Sequence, residues 1–460
     1  MRIVGRKGTA TAFAGKPGTG GLPRPARVQE SKAGFYLVIA SLLFEFGRPQ
    51  DLVPGLGVIP FASLLDTLIL LNVLTSGKIS FDRPQTKLWI PLFLVMAIHV
   101  PLARNNFWAL MTFKDMFLTF ALYLGIITYV DTQEKMLKMM KVWLGVHVVS
   151  AVNGILHGGR GVGGWMGDEN DFCMAMNVVV PFAYFFMFAS RGMAAKIKYS
   201  GLLGLFVLAA MTTLSRGGFF GLTAAGGYCW YRSPKKLHAL LALVLVGVFM
   251  LAAAPETYWA EIVSSNDEET MTYGTGAERL YTWGIGLKMA LYNPIIGVGQ
   301  SNFPWTFEVY EAGETFHGKS ISGRMAHSAW VTLIAELGLA GILIIGGMML
   351  CCWRDLKWVR AKFAPVESRG KHGQPMKIGE DMRAYLARAL EGGFVGYIVS
   401  GVFISILWYP SLWVLTAFVV ALRNISEGEV SEPVGKGSEG CYRPPSSLPR
   451  LGARPVRLIS

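Results

Sequence analysis

Three side chains have the types and spacing to handle a phosphate-bearing substrate: Arg216, Arg279 and His327. A guanidinium is planar, donates two parallel hydrogen bonds and stays charged, which suits it to phosphate oxygens. An imidazole at a membrane boundary is partly desolvated, so its charge is easily tuned and it can act as a general base. Arg216 lies in Leu-Ser-Arg-Gly-Gly at 214–218, between two apolar stretches with almost no loop. A permanent charge there must face water, a cavity or an anion, and the alternative is an arginine snorkelling to the headgroups. Gly217 and Gly218 let a backbone or ligand approach closely. Arg279 lies in Glu-Arg-Leu-Tyr-Thr-Trp at 278–283, at the start of an amphipathic helix predicted to run through Leu291. Trp283, Leu287 and Leu291 recur at i+4 steps, a face suited to the membrane surface. The alternative for Arg279 is an ion pair with Glu278 or another loop acid. His327 lies where a long polar stretch re-enters an apolar one, and the alternative there is a histidine that merely caps the span.

The elements that must hold these groups are membrane helices. The chain has 460 residues, 52% of them hydrophobic and 16% charged, with a mean hydropathy of +0.41. A soluble domain of this length carries more charge. Apolar runs near the length of a bilayer crossing recur throughout, so the expected fold is all-α and polytopic. The runs are continuous rather than alternating, which argues against a β-barrel. The net charge of +13 reads as basic cytoplasmic loops rather than as a nucleic-acid surface. Cys173, Cys229, Cys351, Cys352 and Cys441 lie in or beside apolar spans or in the last tail, so a structural disulfide or cysteine-bound zinc is not expected. No His/Asp/Glu cluster has ligand spacing, and no nucleotide or dinucleotide fingerprint stands in a usable context, so neither metal nor cofactor is expected.

Residues 1–33 read as a disordered cytoplasmic tail without a cleavable signal peptide. Nine transmembrane helices are expected over 34–254, then a loop over 255–326 with short helices in it. A tenth span covers 327–353, a basic linker 354–390, two further spans 391–422, and a disordered tail 423–460. The eleventh and twelfth spans, near 391–408 and 411–422, are joined through Tyr409 and Pro410. Lysine and arginine set the orientation. With the N-terminus in the cytoplasm, inside segments collect Lys78, Arg83 and Lys87, then Lys135, Lys138 and Lys141, and later Arg354, Lys357, Arg360 and Lys362. Outside segments hold few basic residues, among them Arg48, Arg104, Arg160, Arg216, Arg279 and Arg324. This alternation puts both termini in the cytoplasm and the 255–326 loop outside it. The outer set suits an anionic headgroup such as a lipid pyrophosphate.

At these residues the sequence resembles the O-antigen ligase and O-antigen polymerase superfamily of bacterial membrane glycan enzymes. The resemblance rests on Ser215-Arg216-Gly217-Gly218, on Arg279 and Trp283 ahead of Asn293-Pro294 and Gly297-Val-Gly299, and on Ala326-His327-Ser328 followed by Ala335-Glu336-Leu337-Gly338. Gly167-Asp168-Glu169-Asn170-Asp171 adds a fourth stretch, and the whole covers roughly 150–350. Phe44 to Asp51 also resembles the exosortase-associated branch. The resemblance implies a metal-independent, inverting glycosyltransferase in the bacterial inner membrane, without cofactor. It would move a glycan from an undecaprenyl-pyrophosphate carrier to a glycan, lipid A-core or protein acceptor at the periplasmic face. Arg216 and Arg279 would bind the pyrophosphate and His327 would activate the acceptor hydroxyl, with Arg324, Arg160, Asp168 and Arg48 as secondary candidates. Ser328 stands where the family often has Asn, which bears on acceptor positioning. A polymerase using the same donor, and a polysaccharide or lipid transporter, are the competing readings.

Overall fold

The computed structural model describes residues 32–233, 235–253, 275–311, 313, 315–365, 367–369, 375–377 and 381–431. The predicted terminal tails beyond these limits, the acidic first part of the 255–326 loop and much of the 354–390 linker lie outside the described residues. The chain is a polytopic all-α membrane protein. Its helices are α1 Lys32–Leu42, continued by a π-helical turn Leu43–Gly47, α2 Phe61–Ser76, α3 Pro84–Leu102, α4 Asn106–Tyr129 and α5 Gln133–Leu156. There follow α6 Glu169–Ala189, α7 Met193–Thr212, α8 Arg216–Arg232 and α9 Lys236–Ala253. The loop contributes α10 Thr275–Tyr292 and α11 Phe303–Glu311, and the chain closes with α12 Ala329–Lys362, α13 Met382–Ser400 and α14 Pro410–Ser431. Six of the described helices (α3 to α7 and α12) are long and apolar enough to cross a membrane. Two three-residue strands, Glu367–Arg369 and Pro375–Lys377, pair antiparallel inside the basic linker, a small ladder that the sequence reading did not foresee.

The bundle is built around α6, whose residues from Asp171 to Phe186 are all buried. It packs against α7, α8 and α13. Asn177 ties three of these helices together, donating to the Gly218 carbonyl at 2.8 Å and the Ser400 hydroxyl at 3.1 Å. Such a polar cross-link inside a membrane bundle contributes roughly 0.6–2 kcal/mol. Gly217 and Gly218 serve this packing. A Cβ at Gly217 would lie 2.5 Å from that of Phe403, and one at Gly218 would lie 2.3 Å from the Cys173 sulfur. The close approach predicted for these glycines is thus to neighbouring protein.

Two departures from the predicted spans matter. α12 continues to Lys362, past the expected end near residue 353, because Cys352, Leu356 and Val359 keep a buried face through the basic segment. The eleventh span was expected to stay helical to residue 408, yet α13 ends at Ser400. The apolar stretch 401–409 folds as an irregular segment tied to neighbouring helices by hydrogen bonds to its backbone. The Gly401 carbonyl accepts from the Ala329 N–H at 2.7 Å, and the Tyr397 hydroxyl donates to the Ile406 carbonyl at 3.1 Å. Irregular backbone is tolerated at membrane depth only where protein satisfies it in this way.

α12 is itself broken. Gly338 takes φ 58° and ψ −149°, a combination open in practice only to glycine. The break frees backbone groups, and the segment after α10 takes them up. Val298 and Gly299 N–H donate to the Ala335 and Glu336 carbonyls, both at 2.9 Å. Leu339 and Ala340 N–H donate to Pro294 and Ile295 carbonyls at 2.8 and 2.9 Å. Buried Glu336 completes the junction. Its carboxylate accepts from the Ser301 and Phe303 N–H groups at 2.8 and 3.0 Å and from the Trp408 indole at 2.8 Å. The Gly297-Val-Gly299 turn is therefore structural. It holds the first half of α12 in place.

Candidate active site

α6, α8 and α12 each start with a capping side chain, as sequences of this type do. Asp168 accepts from the Asn170 and Asp171 N–H groups at 2.8 and 3.4 Å. Ser215 accepts from Gly218 N–H at 2.9 Å, and Ser328 from Val331 N–H at 3.4 Å. Ser328, which departs from the family's usual residue, thus has a helix-capping role. The caps of α6 and α8 are joined, since the Ser215 hydroxyl donates to Asn170 Oδ1 at 2.6 Å. Between them lies an open cavity of about 400 Å³, lined by Glu169, Asn170, Ser215, Arg216, Gly217 and Arg279. Two helix N-termini and two guanidinium groups face one space, an arrangement that favours an anion.

Arg216 is exposed on the first turn of α8, and Leu214 just before it sits at φ 50°. Arg279 is half-buried on α10, 63 residues further along. It is one of the few arginines whose charge the surroundings oppose. Burial lowers its pKa first, and the nearby Arg216 lowers it further, with Asp168 acting the other way. Of the acids that were its alternative partners, Glu278 is bonded to Arg324, and those of 255–274 lie outside the described residues.

His327 stands at the return to the membrane, at φ 47°. A left-handed backbone is uncommon for any residue but glycine, and such strain persists only where the surroundings enforce it. Here both flanks are pinned. The Trp283 indole donates to the Ala326 carbonyl at 2.9 Å, and Ala329 N–H donates to Gly401 as described. The residue is exposed, with protein near enough to desolvate the ring in part. Burial lowers its pKa below the usual 6.5, Arg279 and Arg324 lower it further, and Asp168 raises it. His327, Arg279 and Asp168 therefore share one electrostatic neighbourhood, and the ring is neutral at pH 7.

The remaining sequence candidates divide. Asp168 joins the cluster. Arg324 lies near it but is tied to Glu278, with half its side chain exposed. Arg160 is bonded to Glu169 at 2.7 Å, and Arg48 to Asp51. Trp283 was expected on a membrane-facing stripe with Leu287 and Leu291. The exposed stripe instead runs through Leu280, Leu287 and Leu291, and Trp283 turns inward to brace the residue before His327. Sequence reasoning did not single out Asn170, Trp283 in this role, or Phe403, whose ring stacks on Phe220 at 5.5 Å behind Gly217. Only the invariant geometry of a cap, a polar residue two positions after Asp168, hinted at Asn170.

Fold and cavity together define a multi-pass helical membrane protein with a cavity lined by two arginines where helices begin, and with His327 in their electrostatic neighbourhood. Residues 201–346 match the family model for O-antigen ligase, so this stretch is similar to that superfamily. At family level that is the ligase and polymerase class of membrane glycan enzymes. The match includes Arg216, Arg279 and His327. A search of curated proteins found no match.

Proposed function

We propose that the chain is an inverting, metal-independent glycosyltransferase that moves a glycan from an undecaprenyl-pyrophosphate carrier to an acceptor hydroxyl. The reading is carried by one observation: Arg216 and Arg279, from separate elements, line a single cavity in the electrostatic neighbourhood of His327. The arginines bind the donor's pyrophosphate, and their like charges make the empty cavity a better anion site. Neutral His327 takes the proton of the acceptor hydroxyl as its oxygen attacks the anomeric carbon. The bond from that carbon to the pyrophosphate oxygen breaks, the configuration inverts, and the carrier pyrophosphate leaves with its new charge held by the guanidinium groups. Asp168 steadies the imidazolium that forms. The lysine and arginine alternation puts this site on the periplasmic side of the inner membrane, with both described chain ends toward the cytoplasm. The acceptor is a glycan, lipid A-core or protein. A transporter would leave the broken helix lining a passage. Here the backbone groups freed at Gly338 close on residues 294–299.

The test is transfer by purified protein from a lipid-pyrophosphate glycan donor. Replacing His327 with Ala is expected to lower turnover by about 10³-fold, the range of a lost general base, without altering donor binding or thermal stability. Full transfer by both His327→Ala and Arg216→Lys would sink the mechanism.

A further inference from the structure

A second cavity, of about 540 Å³, lies apart from the arginine pair. Its walls are the end of α3, the strap 293–298 that fills the break in α12, and the outer face of α11. Arg104 lines it, exposed, and has no hydrogen-bond or ion-pair partner among the described residues. Tyr310 lines it as well. The Asn293 side-chain amide lies 2.5 Å from the Tyr310 hydroxyl and can only donate to it, so the phenolic proton is left for a ligand oxygen. Around these two donors the rim is apolar and open: Leu102 and Ile295 are each 71% exposed, and Val309 is 49% exposed.

We propose that this groove binds an anionic, phosphate-bearing amphiphile at a site separate from the donor pyrophosphate. Arg104 and Tyr310 donate to the phosphate oxygens. The hydrocarbon part runs down α3, where Ile90, Leu94, Ile98 and Leu102 form an exposed stripe at four-residue spacing that ends at the groove. That stripe separates a lipid from a free phosphate as the occupant. A membrane-spanning helix whose apolar face leads to a cation at its end matches a lipid, chain below and headgroup above. The cavity's polar groups match the headgroup end. The inference does not depend on the glycosyl-transfer reading, because none of the residues named here lines the arginine cavity.

The experiment is native mass spectrometry of the purified full-length protein with dioleoyl phosphatidylglycerol, dioleoyl phosphatidylcholine or inorganic phosphate. A photoreactive phosphatidylglycerol maps the contact. The protein is expected to retain the anionic lipid in preference to the zwitterionic one, with labelling in the peptides around 102–104 and 293–310. Arg104→Gln should weaken retention about tenfold, the loss of one charge-assisted hydrogen bond. Tyr310→Phe should weaken it less, and Arg104→Lys should keep part of it. The two milder variants keep the test valid should Arg104→Gln fold poorly. Equal retention of the zwitterionic lipid would overturn the proposal. So would displacement of the lipid by millimolar inorganic phosphate, which marks a soluble-anion site, or wild-type binding by Arg104→Gln and Tyr310→Phe together.

Discussion

The two ends of the bundle differ in how two of their arginines are placed. Where α3 begins and α12 and α14 end, every arginine named here is matched to an acid. Arg83 bonds Glu427, and Arg423 reaches the same carboxylate at 2.5 Å and Asp355 at 3.8 Å while stacking on Trp358. Glu391, fully buried on α13, accepts from the Tyr228 hydroxyl and lies 3.3 Å from Arg360 and 4.0 Å from Arg232. At the other end, Arg216 and Arg279 face one cavity, and the Arg279 pKa is lowered by burial and then by the charge of Arg216. Paired charges hold helices in register. Like charges brought together lower the stability of the empty protein and make it a better receptor for an anion. At that end Arg48, Arg160 and Arg324 are also paired with acids, and the contrast rests on Arg216 and Arg279, which line a shared cavity.

Substitutions can break this contrast. Glu391→Ala leaves two guanidinium groups beside an unfilled buried site, and should cost roughly 3 kcal/mol of stability; thermal unfolding in detergent is the measurement, and an unchanged melting temperature would place Glu391 among incidental contacts. Arg279→Lys, at the opposite end, is expected to leave the melting temperature unchanged or raise it. Donor turnover should fall about 30-fold, because a point charge replaces a two-pronged donor. A loss of stability with normal turnover would reverse the assignment of the two ends. Trp283→Phe removes one indole hydrogen bond to the Ala326 carbonyl, worth about 1 kcal/mol. Turnover should drop several-fold with little change in donor affinity, since the residue bonds the neighbour of His327 and does not line the arginine cavity.

The smallest effect is a shift in pH. The His327 pKa is held below 6.5 by burial and by Arg279 and Arg324. A base works in its neutral form, so activity should persist below pH 6.5 and fall only as the pH drops through the lowered value. Arg324→Gln removes one positive neighbour, which raises that pKa and moves the acid limb of kcat/KM upward. An acid limb that stays put, or moves down, would separate His327 from the titrating base.

Much of the fold was legible because helix formation in a membrane is a local matter. Length, apolarity and backbone satisfaction within one segment decide it, and the all-α, polytopic class is the part of the expectation that the helices bear out. The stretch 401–409 was misread for the same reason. Its composition is that of a span, but the N–H that fixes its first carbonyl belongs to Ala329 on α12, distant in the chain, and the Tyr397 hydroxyl at the end of α13 holds Ile406. Arg216, Arg279 and His327 were recognisable by residue type, since a guanidinium or an imidazole beside an apolar run needs a reason to be there. Arg48 and Arg160 met the same criterion and went to Asp51 and Glu169, because ion pairing depends on which acid the fold brings within reach.

The amino-acid sequence by itself determined the class of protein, the order of its helices and the short set of charged groups at one end. Tertiary structure alone decided which of those charges share a cavity. It decided that Gly338 breaks α12, and that the strap from Asn293 to Gly299 takes up the hydrogen bonds so released. It also decided that Trp283 and the 401–409 segment grip the chain on either side of His327. The physical reason is range. Hydrophobic length and helix capping act over a few residues, whereas a cavity lined by like charges exists only after packing elsewhere has overcome their repulsion.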